Sequence, residues 1–216
     1  DTDADVPPLQ RVFLPAFYIG KHEVTNAELA KVFPEHKYPG TTDDMPASAV
    51  LRLQVIEYCE RLGGHLPSAA EWEKAARGTD GRQWPWGNEF RPERANTGRL
   101  DADARAQLAA RGIECGVRGP RVKVEVGSYP CGASPYGALD MAGNVWEWVS
   151  DLYVDPRPPL EWSWRPQPRG LIRGGAYGYG PDAARTWFQA FESPDAACND
   201  VGFRLAMAAE AISRNR

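Results

Sequence analysis

The sequence lacks three features that would each indicate a common class of protein. No apolar run reaches the roughly 20 residues that a membrane-spanning helix needs, so no membrane span is predicted. The 25 Lys and Arg are outnumbered by 29 Asp and Glu, which leaves a net charge of −4. Phosphate binding requires a basic field, so nucleic acid is not expected as the main partner. The cysteines form no CxxC pair, which argues against a zinc ribbon or a thioredoxin-type site.

Cysteine and histidine are also scarce. An even count of cysteines leaves one or two disulfides open among Cys59, Cys115, Cys131 and Cys198. A chain of 216 residues is large enough to fold without covalent staples, so free thiols are the favoured interpretation. Metal ligands cluster in sequence or in space, and no ligand spacing links the three histidines, which are His22, His36 and His65.

Turn-forming residues are abundant, with 21 Gly and 19 Pro, and they separate a few short regular segments. Two capping boxes, Thr25 to Glu28 and Ser68 to Glu71, predict helices that run to about Phe33 and to Gly78. Helical spacing predicts another helix over 48–62, and residues 101–111 fit either a helix or an insertion. Strands are predicted over 11–20, 122–129 and 144–151. This mixture predicts an α+β fold with few regular elements and much irregular loop.

The most informative segment runs from Leu171 to Leu205. Its ends, LIRGG and VGFRL, are apolar and glycine-containing, which is typical of buried scaffold. Between them, large aromatic residues stand among Gly, Ala, Ser and Asp without the period of a helix or a strand. This composition is typical of a recognition surface, because Tyr and Trp provide contact area with few torsions to order.

Five blocks, in order along the chain, resemble the formylglycine-generating-enzyme (sulfatase-modifying factor) superfamily. They are FYIGKHEVTNAEL (17–29), LGGHLPSAAEWEKAARG (62–78), WPWGNEF (84–90), VGSYPCGASPYGALDMAGNVWEWVSD (126–151) and LIRGG…VGFRLA (171–206). The resemblance implies a variant of the C-type lectin fold, in which a small sheet and two helices support long loops. Fold does not determine function, because the superfamily includes oxidases, sulfoxide synthases, a siderophore-maturation enzyme and non-catalytic display proteins.

The resemblance argues against copper or iron chemistry in this chain. The oxidase of the superfamily uses two cysteines shortly after its RGG block, since thiolates are soft ligands for Cu(I). The matching run, 173–182, contains neither Cys nor His, and Cys198 lies too close to VGFRL to match. The sulfoxide synthases use a three-histidine iron site, largely from an extra domain with no counterpart in this sequence. We therefore expect no copper, no iron and no catalytic residues.

The segment bounded by RGGAY (173–177) and VGFR (201–204) is most similar to the variable proteins of diversity-generating retroelements. In those proteins, adenine-directed mutagenesis rewrites a C-terminal region, so that Asn codons yield Tyr, Asp, Gly, Ala, Ser, Phe and other residues. Segment 177–200 is rich in these types, and the resemblance implies a variable ligand-binding surface. Its predicted contact residues are Tyr177, Tyr179, Asp182, Trp187, Phe188, Phe191, Glu192, Asp195, Asn199 and Asp200.

Scaffold roles stay open for four of these aromatic residues. Tyr177 stands where the superfamily has a structural aromatic residue, so it can belong to the scaffold instead. The other three can pack beneath the loop, since aromatic side chains usually prefer burial; they are Trp187, Phe188 and Phe191.

Two functions from different classes remain. The favoured one is a non-catalytic protein that displays a diversified surface to a protein or other macromolecular ligand. The alternative is a siderophore-tailoring type of oxidoreductase without the copper cysteines, whose acid–base candidates are Asp182, Glu192 and Asp195. Catalysis is disfavoured because no base–nucleophile pair is evident.

The organisation and origin of the chain can also be predicted. Residues 1–10 are expected to be a flexible lead-in, and 11–210 a single C-type-lectin-like domain that carries the variable-type segment 177–200. We expect a bacterial or phage origin. The protein is expected either in the cytoplasm or at a surface that it reaches through an upstream segment.

The run from Asp140 to Glu147 resembles a calcium loop of the superfamily. By position, the implied ligands are the side chains of Asp140 and Glu147 and the carbonyls of Gly143 and Val145. Hard oxygen ligands on a tight loop suit Ca²⁺, so a structural calcium ion is expected. The alternative is that Glu147 and Asn144 only hydrogen-bond the loop backbone.

Overall fold

In the residues that the structure describes, two small sheets and three helices carry long loops. The structure, a computed structural model, describes residues 11–98, 122–153 and 168–210. The helices are α1 (Asn26–Val32), α2 (Arg52–Arg61) and α3 (Ala69–Arg77). The strands are β1 (Phe17–Ile19), β2 (Trp146–Tyr153), β3 (Arg169–Arg173), β4 (Gln189–Glu192), β5 (Val201–Gly202) and β6 (Ala206–Ala208). Short 3-10 turns lie at Pro92–Arg94, Pro130–Gly132 and Pro181–Ala184.

Both predicted capping boxes are confirmed. The hydroxyl of Thr25 accepts from the Glu28 amide, and the Glu28 carboxylate accepts from the Thr25 amide, so α1 begins at Asn26. Ser68 and Glu71 form the same reciprocal pair before α3. Helix α3 ends at Gly78, whose φ of 73° is the left-handed conformation that glycine adopts without steric cost.

The larger sheet has the order β4-β3-β2-β5. Strands β2, β3 and β4 are antiparallel neighbours, while β5 runs parallel to β2. A separate antiparallel pair joins β1 to β6, which brings the two ends of the domain together. The chain between β3 and β5 therefore starts and finishes on the larger sheet, and this chain contains segment 177–200.

The main core lies between the larger sheet and helices α1 and α2. It contains Trp146, Trp148, Phe203, Val55 and Leu29, all of them buried. A second cluster packs α3 onto the sheet through Trp72, Val149 and Leu171. Burial of aliphatic and aromatic side chains of this kind stabilises a fold by about 1.5–3 kcal/mol per residue.

Three of the predicted elements have different bounds in the structure. The strand expected over 11–20 is only β1, the helix expected over 48–62 begins at Arg52, and the strand expected over 144–151 is β2, which begins at Trp146 and ends at Tyr153. The strand expected over 122–129 is wrong. Val124 instead pairs with a side chain, because its amide donates to the Asn144 Oδ1 atom at 2.9 Å and its carbonyl accepts from Asn144 Nδ2 at 3.3 Å. A side-chain amide thus takes the place of a neighbouring strand.

Cys59 and Cys198 are free thiols, as expected, whereas Cys131 is disulfide-bonded, so the expectation of free thiols is wrong for Cys131. Cys115, the predicted lead-in 1–10 and the Ala-rich run 101–111 lie outside the described residues. Among the described helices, none is long and apolar enough to cross a membrane.

Candidate functional site

The second half of segment 177–200 is fastened to the domain through its backbone. Three of its carbonyls accept hydrogen bonds from amides outside the segment, at 3.3, 2.9 and 2.8 Å, in the pairs Pro194–Arg52, Cys198–Ala49 and Asp200–Trp146. Every residue type offers the same backbone carbonyl. These three attachments therefore do not depend on which side chains the segment carries.

The first half is held in a similar way by side chains from outside the segment. Arg173, which is only 2% exposed, donates to the carbonyls of Thr186 at 3.1 Å and Trp187 at 2.9 Å. The indole of Trp84 donates to the carbonyl of Pro181 at 3.1 Å. The acceptors are again backbone atoms, so this part of the loop also keeps its course independently of most of its side chains.

Five of the ten predicted contact residues face solvent. They are Tyr179, Asp182, Phe191, Asp195 and Asn199. The other five are half-buried, and they are Tyr177, Trp187, Phe188, Glu192 and Asp200. All ten lie on the loops and edge strand between β3 and β5. Their role in binding a ligand stays a prediction.

Two of the half-buried aromatic residues also support the scaffold. Phe188 packs against the main core, and its ring centroid lies 6.1 Å from that of Trp146. The amide of Tyr177 donates to the carbonyl of Asn144 at 2.9 Å. Two further positions of the segment, Ala184 and Thr186, are completely buried. The segment therefore contains fixed positions among the exposed ones.

Tyr179 lies in a group of aromatic and acidic residues that we term the Tyr179 patch: Tyr179, Trp146, Glu192 and Asp200. The rings of Tyr179 and Trp146 meet edge to face, with centroids 5.2 Å apart and an interplanar angle of 76°. Trp146 is 3% exposed and forms the floor, whereas Tyr179 is 45% exposed. Partial burial and the neighbouring Asp200 carboxylate raise the pKa of the Tyr179 hydroxyl.

Phe191 belongs to a different group that crosses three strands. Its ring stacks on that of Tyr153 with centroids 4.5 Å apart and an angle of 9°. The Arg169 guanidinium lies 3.8 Å from the Phe191 ring centroid and 5.9 Å from that of Tyr153. No pattern in the sequence indicates Tyr153 or Arg169 as surface partners, because strand pairing alone brings them to Phe191.

A fully buried ion pair lies beneath the segment, between Glu147 on β2 and Arg204 just after β5. The two Glu147 oxygens accept from Arg204 Nη2 and Nε, both at 2.6 Å, and both side chains are 0% exposed. The indole of Trp72 donates to the same carboxylate at 2.7 Å. A bidentate pair of this kind is among the stronger polar contacts in proteins and fixes the relative position of the strands.

Asn144 joins three loops around this ion pair. Its side chain bonds Glu23 at 3.0 Å, Asn96 at 3.2 Å and both backbone groups of Val124. Burial, with nearby Asp140 and Glu147, raises the pKa of Glu23 well above its ordinary value. Burial beside these carboxylates therefore disfavours the ionised form of Glu23.

The sequence as a whole matches a known family. The model of the sulfatase-modifying factor enzyme 1-like domain matches residues 1–209. The chain belongs to this family. One curated relative, the inactive C-alpha-formylglycine-generating enzyme 2 of Bos taurus, is 31% identical over 160 residues, which are 70% of this chain and 46% of the relative. The chain thus spans about half the length of this relative of the sulfatase-modifying factor family.

Solved structures share the fold of this family member. Variable protein 1 of Treponema denticola aligns with a TM-score of 0.65 and 22% identity, over 89% of this chain and 84% of that protein. PvdO from Pseudomonas aeruginosa aligns with a TM-score of 0.65 and 24% identity, over 88% of this chain and 79% of PvdO. The α+β, C-type-lectin-like fold that the resemblance implied is therefore confirmed.

The two side chains predicted to hold calcium already have hydrogen-bond partners within the chain. Both Glu147 oxygens are taken by Arg204, and Asp140 Oδ2 accepts from the Gly127 amide at 2.6 Å. Among the described residues, no group of three or more His, Cys, Asp or Glu could hold a metal ion. Calcium at Asp140, Gly143, Val145 and Glu147 stays a prediction from the resemblance, and the ion would have to displace Arg204.

A melting experiment tests calcium at this loop. Calcium bound at this loop would stabilise the folded state, so the predicted site requires a melting temperature that rises with the Ca²⁺ concentration. Thermal unfolding followed by circular dichroism measures the difference. The same melting temperature in excess Ca²⁺ and in excess chelator would contradict the predicted site and leave the loop held by the Arg204–Glu147 ion pair.

The acid–base candidates of the alternative function are not brought into one site. Asp182 pairs with Arg185 at 2.7 Å and is mostly exposed. The Glu192 carboxylate accepts from the Ser193 amide at 2.7 Å, and Asp195 is exposed on the following turn. Each of the three carboxylates therefore has a different surrounding, and none shares a hydrogen bond with another in the described structure.

Proposed function

We propose that this family member is a non-catalytic ligand-binding protein whose segment 177–200 is a replaceable recognition surface. One observation carries the proposal. The segment is attached through backbone groups and through the side chains of a few buried or half-buried residues such as Thr186 and Phe188. The side chains of five other residues face solvent: Tyr179, Asp182, Phe191, Asp195 and Asn199. Attachment and recognition thus use different atoms, which is what a surface open to sequence change requires.

The energetics of the two sets of residues support this separation. Changes at exposed positions away from special features usually alter stability by about 0.5 kcal/mol or less. Breaking a buried ion pair such as Glu147–Arg204 costs several times more. The strands and the buried polar groups therefore supply most of the stability, and the exposed side chains of the loop can serve binding.

The chemistry of the exposed residues favours a macromolecular ligand, in particular a protein. Tyr179 and Phe191 are large aromatic residues that are 45% and 37% exposed. Aromatic side chains on small neighbours are typical anchors of protein interfaces. The shared fold of Treponema denticola variable protein 1 supports assigning the segment to the variable type.

Simultaneous replacement of exposed residues tests the proposal. We expect a variant with Ser at Tyr179, Asp182, Asp195 and Asn199 to lose no more than about 2 kcal/mol of unfolding free energy, because each position is exposed. Urea denaturation followed by fluorescence measures the loss. An unfolded variant would show that these side chains hold the fold and would contradict a replaceable surface.

Two single variants that introduce the same residue give a matched control. An added Cβ at Gly178 meets nothing within 4 Å, so Gly178→Tyr should be nearly neutral. Ala184 is 0% exposed, so Ala184→Tyr should cost about 3 kcal/mol or more through overpacking. Equal losses at the two positions would mean that the structure does not separate fixed from replaceable positions.

A further inference from the structure

The four residues of the Tyr179 patch include two carboxylates, Glu192 and Asp200, and no Lys or Arg. From Thr186 to Phe203 the sequence contains no Lys or Arg, although it contains Glu192, Asp195 and Asp200. Asp200 and Glu192 both act on the hydroxyl of Tyr179 and on the thiol of Cys198, raising the pKa of each after the effect of burial. The patch therefore combines an exposed aromatic ring with two carboxylates, neither of which forms an ion pair with a Lys or Arg of the described residues.

Asp182 and Phe191 of the same loop already have cationic partners from within the chain. Asp182 pairs with Arg185 at 2.7 Å. The ring of Phe191 is covered by the Arg169 guanidinium at 3.8 Å. The ring of Tyr179 instead contacts that of Trp146 edge to face, and no arginine or lysine among the described residues lies over it. The exposed face of the Tyr179 ring can therefore still bind a cation, next to the carboxylates of Glu192 and Asp200.

We propose that the Tyr179 patch binds an arginine or lysine side chain on a basic segment of a partner protein. The proposal rests on the proposed function and specifies its ligand. The cation lies against the exposed part of the Tyr179 ring, where the negative π face attracts it. Asp200 and Glu192 accept its hydrogen bonds, which a guanidinium can donate to two acceptors together.

The ring of Tyr179 is uncharged at neutral pH, as tyrosine ordinarily is, and partial burial together with the neighbouring carboxylates raises the pKa of its hydroxyl further. The cation therefore meets a neutral aromatic face and two charged acceptors, and its attraction should weaken as added salt screens the exposed charges.

Selection from a short random-peptide library against the full chain tests the proposal. We expect the selected peptides to be enriched in Arg and Lys. Their binding should weaken roughly tenfold in the double variant Asp200→Asn, Glu192→Gln, because two charged contacts are lost. The double variant Glu35→Gln, Glu57→Gln, which removes two exposed carboxylates on the α1–α2 side, should leave binding unchanged.

The outcomes separate this proposal from the proposed function. Peptides whose binding needs Tyr179 but that show no enrichment in basic residues would overturn the cationic ligand and leave the recognition surface intact. Peptides that bind equally well to a Tyr179→Ser variant, or no enrichment at all, would overturn both. Basic peptides that require Tyr179, Asp200 and Glu192, and whose affinity falls with added NaCl, support both.

Discussion

Replacing Arg204 with Met is expected to lower the free energy of unfolding by about 3–5 kcal/mol, because the buried Glu147 carboxylate loses its cationic partner. Arg204 also donates to the carbonyls of Gly20 and Leu139, both at 3.0 Å, so the change loosens the contacts near β1 as well. Urea denaturation of the purified variant measures the loss.

Two further variants decide whether the loss comes from the buried charge. Arg61→Met breaks an exposed pair with Glu57 and should cost less than about 1 kcal/mol. The double variant Arg204→Met, Glu147→Met should lose less than Arg204→Met alone, because charge and partner are removed together. A loss at Arg204 as small as that at Arg61 would contradict a scaffold held by this ion pair.

Asn144→Ala is expected to cost about 3 kcal/mol or more, because several buried groups lose a hydrogen-bond partner at once. Glu23, Asn96 and Val124 each bond the Asn144 side chain. The backbone of Asn144 also has a φ of 63°, a left-handed conformation that alanine adopts with more strain. Denaturant unfolding gives the free energy directly.

The matched control uses the same substitution inside segment 177–200. Asn199 is exposed, so Asn199→Ala should change stability by about 0.5 kcal/mol or less. A large effect at Asn199 together with a small one at Asn144 would reverse the assignment of scaffold and surface. The expected contrast places stability in the buried polar groups rather than in the loop.

The parts of the fold that depend on neighbouring residues could be predicted from the sequence. Thr25 and Ser68 cap their helices by pairing with residues only three positions away, so the start of each helix could be predicted from the sequence. The strand expected over 122–129 failed for the opposite reason. The backbone amide of Val124 donates to the side chain of Asn144, which lies 20 residues further along the chain. No local sequence pattern indicates such a contact.

The candidate site shows the same limit. Composition predicts a recognition surface at 177–200, and this stays a prediction; the structure shows that Tyr179 and Asn199 are exposed. It could not show that Phe188 packs on the core, or that Tyr153 and Arg169 join Phe191, since these contacts arise from strand pairing. Arg204 lies 57 residues from Glu147 in the sequence, so its ion pair with the predicted calcium loop could not be predicted either.

Sequencing the gene and its flanking DNA from several isolates tests the central claim most directly. A replaceable surface predicts differences confined to exposed codons of segment 177–200, including those for Tyr179 and Asn199, with Ala184 and Thr186 unchanged. It also predicts a nearby copy of the segment that carries Asn codons, next to a reverse transcriptase gene. An identical segment in all isolates, with no such copy in the flanking DNA, would contradict the claim.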